Sequence, residues 1–186
     1  MGRPSNREAR RAEILGAFAR VLADHGYAGA TISAVAVEAG IAPGLIHHHF
    51  RNKEDLLTSL LENLTAAFRH RVRGLGGPED PLLSYVDGAL KLDDTADITA
   101  ARCWVGVFSE AIRNPALFKQ VRRLIDVEIS SIQARSGHEL DAKQAGSVLA
   151  FIIGSLVLGA FAPRKTAGFA APGLRQLVAA MRGPGR

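Results

Sequence analysis

The sequence predicts an all-α protein of about nine helices, and three observations lead to this prediction. Apolar residues recur at i, i+3, i+4 and i+7 in successive segments of the chain, which is the spacing of one helix face. No segment shows the alternation of apolar and polar residues that is typical of a half-buried strand. Ser, Thr, Asn, Asp, Gly and Pro stand at the ends of these segments, where helices begin and end. A chain of 186 residues can hold one larger domain or two small domains that share a core.

The first predicted helix runs from Arg7 to His25 and follows a loose arm of residues 1–6. Its apolar stripe consists of residues spaced four apart: Ile14, Phe18 and Leu22. Gly26 is predicted to end it, and residues 27–30 connect it to the next helix.

Two short helices joined by a tight turn are predicted between residues 31 and 50. Thr31 is placed to cap the first of them by accepting a backbone N–H. Gly40 follows its last apolar residue, where a left-handed conformation closes a helix without a Cβ clash. Pro43 suits the first position of the second helix, because its missing N–H would have no partner there.

The second short helix has an inward and an outward face. Ile46 and Phe50 lie one turn apart and are predicted to point back at the preceding helix. Two short helices linked through a Gly-containing turn make a helix-turn-helix. Its second helix is short enough to lie in the major groove of DNA.

The later helices are delimited by the same signals. Asn52 is predicted to cap a helix that runs to about Arg73, with Glu54 and Asp55 in its first turn. Residues 74–81 are rich in Gly and Pro and mark the clearest break in the sequence. The remaining predicted helices are Leu82 to Leu92, Asp97 to Arg113, Pro115 to Arg135, Ala142 to Phe161 and Pro172 to Met181, with a break from Pro163 to Gly168.

About the first third of the chain resembles the DNA-binding domain of the TetR family. The resemblance is carried by three pieces in this order: T-I-S-A-V-A-V-E-A-G-I-A, G-L-I-H-H-H-F and N-K-E-D-L-L. The family most often has Ser or Thr at Ala42, a small hydroxyl residue at Leu45 and Tyr at His47, and these departures concern the operator rather than the fold. Further on, R-C-W-V-G-V-F-S-E-A-I-R-N-P-A-L resembles the C-terminal domains of the BetI-like branch. The resemblance implies a DNA-binding domain at residues 1–53 and an effector-binding and dimerisation domain at residues 54–186.

The DNA-contacting residues are predicted from this resemblance and from the outward face of the second short helix. Gly44 would allow close approach to the DNA backbone, and Leu45 could make only an apolar contact, for example with a thymine methyl. The imidazoles can hydrogen-bond to phosphates or base edges. Lys53 matches a family phosphate-contacting lysine. The full predicted set is Thr31, Ser33, Pro43, Gly44, Leu45, His47, His48, His49 and Lys53.

The charge distribution agrees with a nucleic-acid partner. The formal net charge is +5, and residues 1–53 hold seven basic residues against four acidic ones. A basic end beside a helix-turn-helix suits phosphate contact, although without the motif it would indicate only a solvated surface. Three successive histidines on a helix are about 100° apart and cannot converge on one ion, so no metal site and no cofactor are predicted.

Other classes of protein are not indicated. The sequence has no Gly-rich phosphate loop, no nucleophile elbow and no ligand-spaced His or Cys, so no enzyme is predicted. Cys103 is the single cysteine, which fits a reducing cytoplasm, and Met1 to Glu13 is too polar for a secretory signal. The apolar run from Val148 to Ala162 is interrupted by Ser155 and is shorter than the ~20 residues of a bilayer-spanning helix.

Dimerisation is predicted through the last two helices. The helix from Ala142 to Phe161 is hydrophobic all round from Val148 onward, so we expect it to be buried on all sides. With the final helix it would form half of a four-helix interface, which is how the family pairs; the alternative is a central core helix within one subunit. The predicted interface residues are Val148, Phe151, Ile152, Ser155, Gly159, Leu174 and Leu177.

An effector pocket is predicted from the large apolar residues of the second part, with Glu110 and Arg102 as the polar anchors. The candidates are Tyr85, Trp104, Val107, Phe108, Glu110 and Phe151. Trp104 and Phe108 stand at i and i+4, a spacing that is more often typical of core residues than of pocket residues. If Glu110 lines an apolar cavity, a cationic or hydrogen-bond-donating ligand is favoured.

The sequence therefore predicts a cytoplasmic, homodimeric repressor that binds a palindromic DNA operator and responds to a small-molecule effector of unknown class. The helix from Lys53 to Arg73 would connect the two functional parts. The alternatives are an activator, or a protein-interaction module, built on the same helix-turn-helix.

Overall fold

The computed structural model describes residues 6–74, 80–90 and 98–183, and these residues form nine helices and no strand. The all-α prediction is confirmed. The helices are α1 (Asn6–Gly29), α2 (Ile32–Ala39), α3 (Pro43–His49), α4 (Lys53–Gly74), α5 (Pro81–Ala89), α6 (Ile98–Ala111), α7 (Pro115–Arg135), α8 (Ala142–Phe161) and α9 (Pro163–Arg182). The predicted arm, the turn at 74–81 and the helix ends at Leu92 and Asp97 fall wholly or partly outside the described residues.

The predicted helix ends have the expected local geometry. Thr31 Oγ1 accepts a hydrogen bond from the Ala34 N–H at 3.1 Å. Gly40 adopts the left-handed conformation with φ 64° and ψ 34°, and Asn52 Oδ1 accepts from the Asp55 N–H at 2.8 Å. Side-chain caps of this kind each stabilise a helix by about 1 kcal/mol, which explains how helices as short as α2 persist.

Gly26 was predicted to end the first helix, and in the structure it kinks the helix instead. Its backbone lies at φ 68° and ψ 177°, outside the helical region, so the chain changes direction there although α1 resumes until Gly29. A residue with a Cβ is strained at this positive φ, whereas glycine adopts it readily.

The last helix is longer than predicted, and the predicted break at residues 163–168 is wrong. α9 begins at Pro163, immediately after a corner at Ala162, and continues through Pro172. Proline at an internal position leaves the carbonyl four residues earlier without its donor. Here that carbonyl belongs to Gly168, which is exposed and therefore accessible to water. A buried stripe spaced at i+4 favours the continuous helix: Thr166, Ala170, Leu174 and Val178.

Two apolar clusters fill the interior. The first joins α1, α2 and α3 to the beginning of α4, to α6 and to the first half of α7. The second joins the end of α4 to α5, α8, α9 and the second half of α7. α4 contributes to both, with Leu56, Leu57, Leu60 and Leu61 in the first cluster and Val72 in the second. α4 therefore packs into both apolar clusters.

α8 is buried on one side only, contrary to the expectation from its composition. Val148 and Ile152 are almost completely buried, whereas Leu158 is 53% and Phe161 is 80% exposed. By length and composition alone α8 could cross a membrane, but its inner face belongs to the second apolar cluster. The exposed apolar side chains on its outer face are not typical of a core helix.

Candidate nucleic-acid interface

α3 is held from below by two anchors. Ile46 is fully buried and Phe50 is 1% exposed, as their spacing predicts. The guanidinium of Arg11, on α1, lies 4.1 Å from the centre of the Phe50 ring. It also donates hydrogen bonds to the carbonyl oxygen of His49 and to Ser59 Oγ, the latter at 3.1 Å. Arg11 thereby ties α3 to α1 and α4, so the outer face of α3 has a defined orientation.

The outer face of α3 presents two imidazoles. His47, His48 and Gly44 are exposed, and no atom within 4 Å would meet a Cβ on Gly44. Leu45 is half-buried. His49 is also half-buried, and its Nδ1 is inaccessible and has no hydrogen-bond partner among the described residues. His47 and His48 are therefore the two exposed imidazoles of this helix.

The flanks of α3 supply further polar groups. Thr31, Ser33 and Pro43 are exposed, although the Thr31 hydroxyl already accepts the capping bond of α2. Lys53 Nζ lies 4.0 Å from the centre of the Tyr27 ring and 3.5 Å from the Ala28 carbonyl oxygen. The cation is thus held beside the end of α1, at the start of α4, where backbone N–H groups favour an anion.

Tyr27 is a neutral platform for this lysine. Its burial, together with the negative charges of Glu54 and Glu110, raises the pKa of the phenol to about 12. The ring therefore stays protonated near neutral pH and attracts the ammonium through its face.

Several basic residues of the N-terminal part are already paired with carboxylates. The separations are 2.7, 2.5 and 3.6 Å for Arg10–Glu13, Arg20–Glu38 and Arg51–Asp55. Paired charges contribute less to the potential outside the molecule than the formal count suggests. Phosphate attraction would then depend more on Lys53 and on helix N-termini.

Comparison with known proteins identifies this arrangement. The family described as "Bacterial regulatory proteins, tetR family" matches residues 14–60, which include α2, α3 and the start of α4. The transcriptional regulator BetI of Escherichia coli K12 is 31% identical over 162 residues, covering 81% of this chain and 82% of that protein. BetI of Burkholderia thailandensis is 30% identical over 162 residues, covering 82% of each. The chain belongs to the TetR family.

Solved structures show the same fold along nearly the whole chain. A TetR transcription regulator from Haloarcula marismortui superposes with a TM-score of 0.80 at 22% identity, covering 94% of this chain and 98% of that one. A TetR-family regulator from Rhodococcus sp. gives 0.76 at 22% identity, covering 92% and 100%. As a TetR-family member, the protein is a DNA-binding transcriptional regulator and not an enzyme.

This TetR-family regulator also has a partly open apolar cavity of about 50 Å³ between α4, α6, α7 and α8. Of the predicted pocket residues, Trp104 and Phe108 line it, with stacked rings whose centroids are 5.5 Å apart. The others lie elsewhere: Tyr85 beside a neighbouring pocket, Val107 in the first apolar cluster, Glu110 in a surface crevice against α1, and Phe151 next to Gly173.

The cavity wall contains a buried carboxylate that the sequence reasoning missed. Glu128 Oε1 accepts hydrogen bonds from Arg69 Nε at 3.0 Å and Nη2 at 2.9 Å, and Oε2 accepts one from the Tyr85 hydroxyl at 3.3 Å. Burial, and then the charge of Glu128, raises the pKa of Tyr85 above its usual value. A signal was present in the sequence, because Glu128 interrupts the apolar stripe of α7 formed by Val121, Ile125 and Ile132.

The predicted dimer residues lie mostly inside the subunit. Val148, Ile152, Ser155, Gly159 and Leu174 are buried by the chain's own helices, and Phe151 and Leu177 are half-buried. The exposed residues of α8 and α9 include a different set: Ala150, Gly154 and Leu158 on one face of α8, Phe161 at its end beside the crevice against α1, and Phe169 on α9.

Proposed function

We propose that this regulator is a cytoplasmic homodimeric repressor that binds a palindromic operator and releases it when a small-molecule effector binds. Residues 1–53 would bind DNA, and residues 54–186 would bind the effector and dimerise. The observation that carries the proposal is the orientation of α3, in which Ile46 and Phe50 are buried while His47 and His48 face outward. A short helix held in this way can enter a major groove and place side chains at base edges.

A homodimer is supported by the outer face of α8 and α9. Leu158, Phe161 and Phe169 are 53%, 80% and 46% exposed in the single subunit. Large apolar side chains grouped on one surface indicate a protein partner. Ala150 and Gly154 on the same face would let a second α8 approach closely. Two-fold pairing would give two copies of α3, which suits an operator with two half-sites about 34–36 Å apart, or somewhat further.

Effector response is supported by the cavity and by the helices that surround it. Pockets for small molecules usually have volumes of roughly 300–1,000 Å³, so this cavity must expand to hold one. α6 lines it with Trp104 and Phe108 and packs its Cys103 and Val107 into the apolar cluster of the DNA-binding helices. α4 lines it with Thr65 and Phe68 and begins beside α3. Expansion would therefore move helices that orient α3.

The proposed mechanism couples effector binding to DNA binding through the expanded state of the cavity. An effector that prefers this state lowers the affinity for DNA by the difference between its binding free energies for the two states, typically about 1–3 kcal/mol.

A structural neighbour, described as a transcriptional regulator from Saccharomonospora viridis, was solved in complex with choline. At 23% identity it supports only the idea that this fold can bind a small molecule.

Footprinting on genomic fragments tests the proposal. We expect a protected inverted repeat whose half-sites are separated by about one helical turn of DNA. In vitro transcription from the promoter that contains the repeat should then fall when the protein is added. Protection without dyad symmetry would contradict the dimeric reading, and increased transcription would favour an activator.

A further inference from the structure

A second concave region lies on the outer side of the cavity. It is an open groove of about 920 Å³ between α4 and α7. Its charged lining residues are Arg69, Arg73, Lys119 and Arg123 against Glu62. Arg73, Lys119 and Arg123 are exposed and make no ion pair with any residue in 6–74, 80–90 or 98–183. The groove is therefore a site of positive charge even after Arg69 is neutralised by Glu128.

The groove and the apolar cavity are adjacent. Thr65 and Leu124 line both of them, so these two side chains form the partition. The floor of the groove is itself partly apolar, because Leu61 and Val127 contribute to it and Val127 is 45% exposed. A molecule lying in the groove could thus extend an apolar segment past Thr65 and Leu124 towards Trp104.

The carboxylate in the cavity wall does not favour a cationic ligand. Both oxygens of Glu128 already accept hydrogen bonds, two of them from a guanidinium. A cation could bind there only by displacing Arg69 or by sharing its partner. An anion in the groove meets unpaired guanidinium and ammonium groups instead.

We infer that the effector is an amphiphile with an anionic head and an apolar tail, with its head in the groove of α4 and α7 and its tail in the cavity. The inference rests on the proposed effector response and specifies the class of the effector. Arg123 and Lys119 would bind the head, and Trp104 and Phe108 would contact the tail. Entry of the tail separates α4 from α7 at Thr65 and Leu124.

Binding can be followed directly, because Trp104 is the only tryptophan in the chain. The probes are decanoate and decyl phosphate as anions, decanol as the neutral match and decyltrimethylammonium as the cation. The three ionic probes are kept below their micelle concentrations and decanol below its solubility limit. Tryptophan fluorescence and calorimetry are recorded on the full chain. We expect both anions to bind at least about fivefold more tightly than the other two, as a few partly exposed ion pairs provide. The ratio of the affinities for decanoate and decyl phosphate shows whether the groove prefers a carboxylate or a phosphate head.

The groove is tested by Arg123→Glu, with Arg122→Glu as the matched control, because Arg122 is exposed on the same helix but does not line the groove. We expect Arg123→Glu to weaken anion binding about fivefold and Arg122→Glu to change it less than twofold. Tighter binding of the cation, equal binding of decanol, equal effects of the two variants, or no binding of either anion would overturn the inference.

DNA binding is measured on the same preparations without probe. If operator binding persists while no anion binds, only the effector class is wrong. If no DNA fragment is bound at all, the proposed function fails. If Arg123→Glu weakens DNA binding as much as anion binding, the groove binds DNA phosphates instead of an effector, and the inference is overturned.

Discussion

Glu128 places a carboxylate on the wall of a mostly apolar cavity, and Glu128→Gln tests how strongly this residue joins α4 to α7. Its side chain is 8% exposed, and its two short hydrogen bonds come from Arg69. Arg69 keeps its charge in this variant, so its two bonds remain charge-assisted and what is lost is the ion pair. An exposed ion pair contributes up to about 1 kcal/mol, and breaking a buried one costs about 3–5, so a half-buried pair should contribute about 1–3 kcal/mol. Arg69 is 39% exposed and partly screened by solvent, so we expect the lower part of that range, about 1–2 kcal/mol.

The assay is thermal unfolding at fixed protein concentration and neutral pH, checked by urea unfolding. For a chain of this size each kcal/mol shifts the midpoint by about 2–4 °C, so Glu128→Gln should lower it by roughly 2–8 °C. Asp126→Asn removes the same charge from an exposed position on α7 and should change the midpoint little. Equal midpoints for Glu128→Gln and the wild type would show that the pair adds no stability and would refute this reasoning.

Three further predictions concern the other regions of the molecule. Lys53→Ala should weaken binding to all DNA sequences about equally and reduce the slope of log K against log salt by about 1; a loss confined to one operator would contradict this. Leu158→Glu should weaken the dimer at least about tenfold by sedimentation, because burying an unpaired charge is costly, whereas Ile112→Glu, at a more exposed apolar residue outside α8 and α9, should not. A hydrogen bond from Arg182 lowers the pKa of Asp80 below its usual 3.8. Ionised Asp80 therefore stabilises the fold fully above pH 3.8, and this stabilisation is lost as the pH falls through the lowered pKa of Asp80. Asp80→Asn should make the free energy of unfolding, measured in urea, less dependent on pH in this acid range.

Local signals predicted the DNA-binding helices well. The caps and breaks at Thr31, Gly40 and Pro43 depend on backbone groups a few residues away, so their chemistry can be inferred without tertiary contacts. The burial of Ile46 and Phe50 follows equally from spacing. Pro163 shows the limit of such signals, because a proline that starts a helix and one that ends a helix look alike in sequence.

In the second half of the chain, the burial of each helix face depends on tertiary packing. The sequence shows that α8 is apolar, but which face meets its own subunit depends on the placement of α7 and α9. The same holds for the cavity: Trp104 and Phe108 were predicted, whereas Thr65 and Glu128 reach it from helices distant in sequence. Composition can suggest a pocket, but only packing determines its walls.

The base-reading role of α3 is the central claim, and the ratio of operator affinity to non-specific DNA affinity tests it most directly. For the double variant His47→Ala/His48→Ala we predict that this ratio falls about tenfold or more, since each base contact contributes about 1–3 kcal/mol of discrimination. Folding should be unchanged, because both side chains are exposed. A ratio that stays within twofold of the wild type would show that another surface selects the operator.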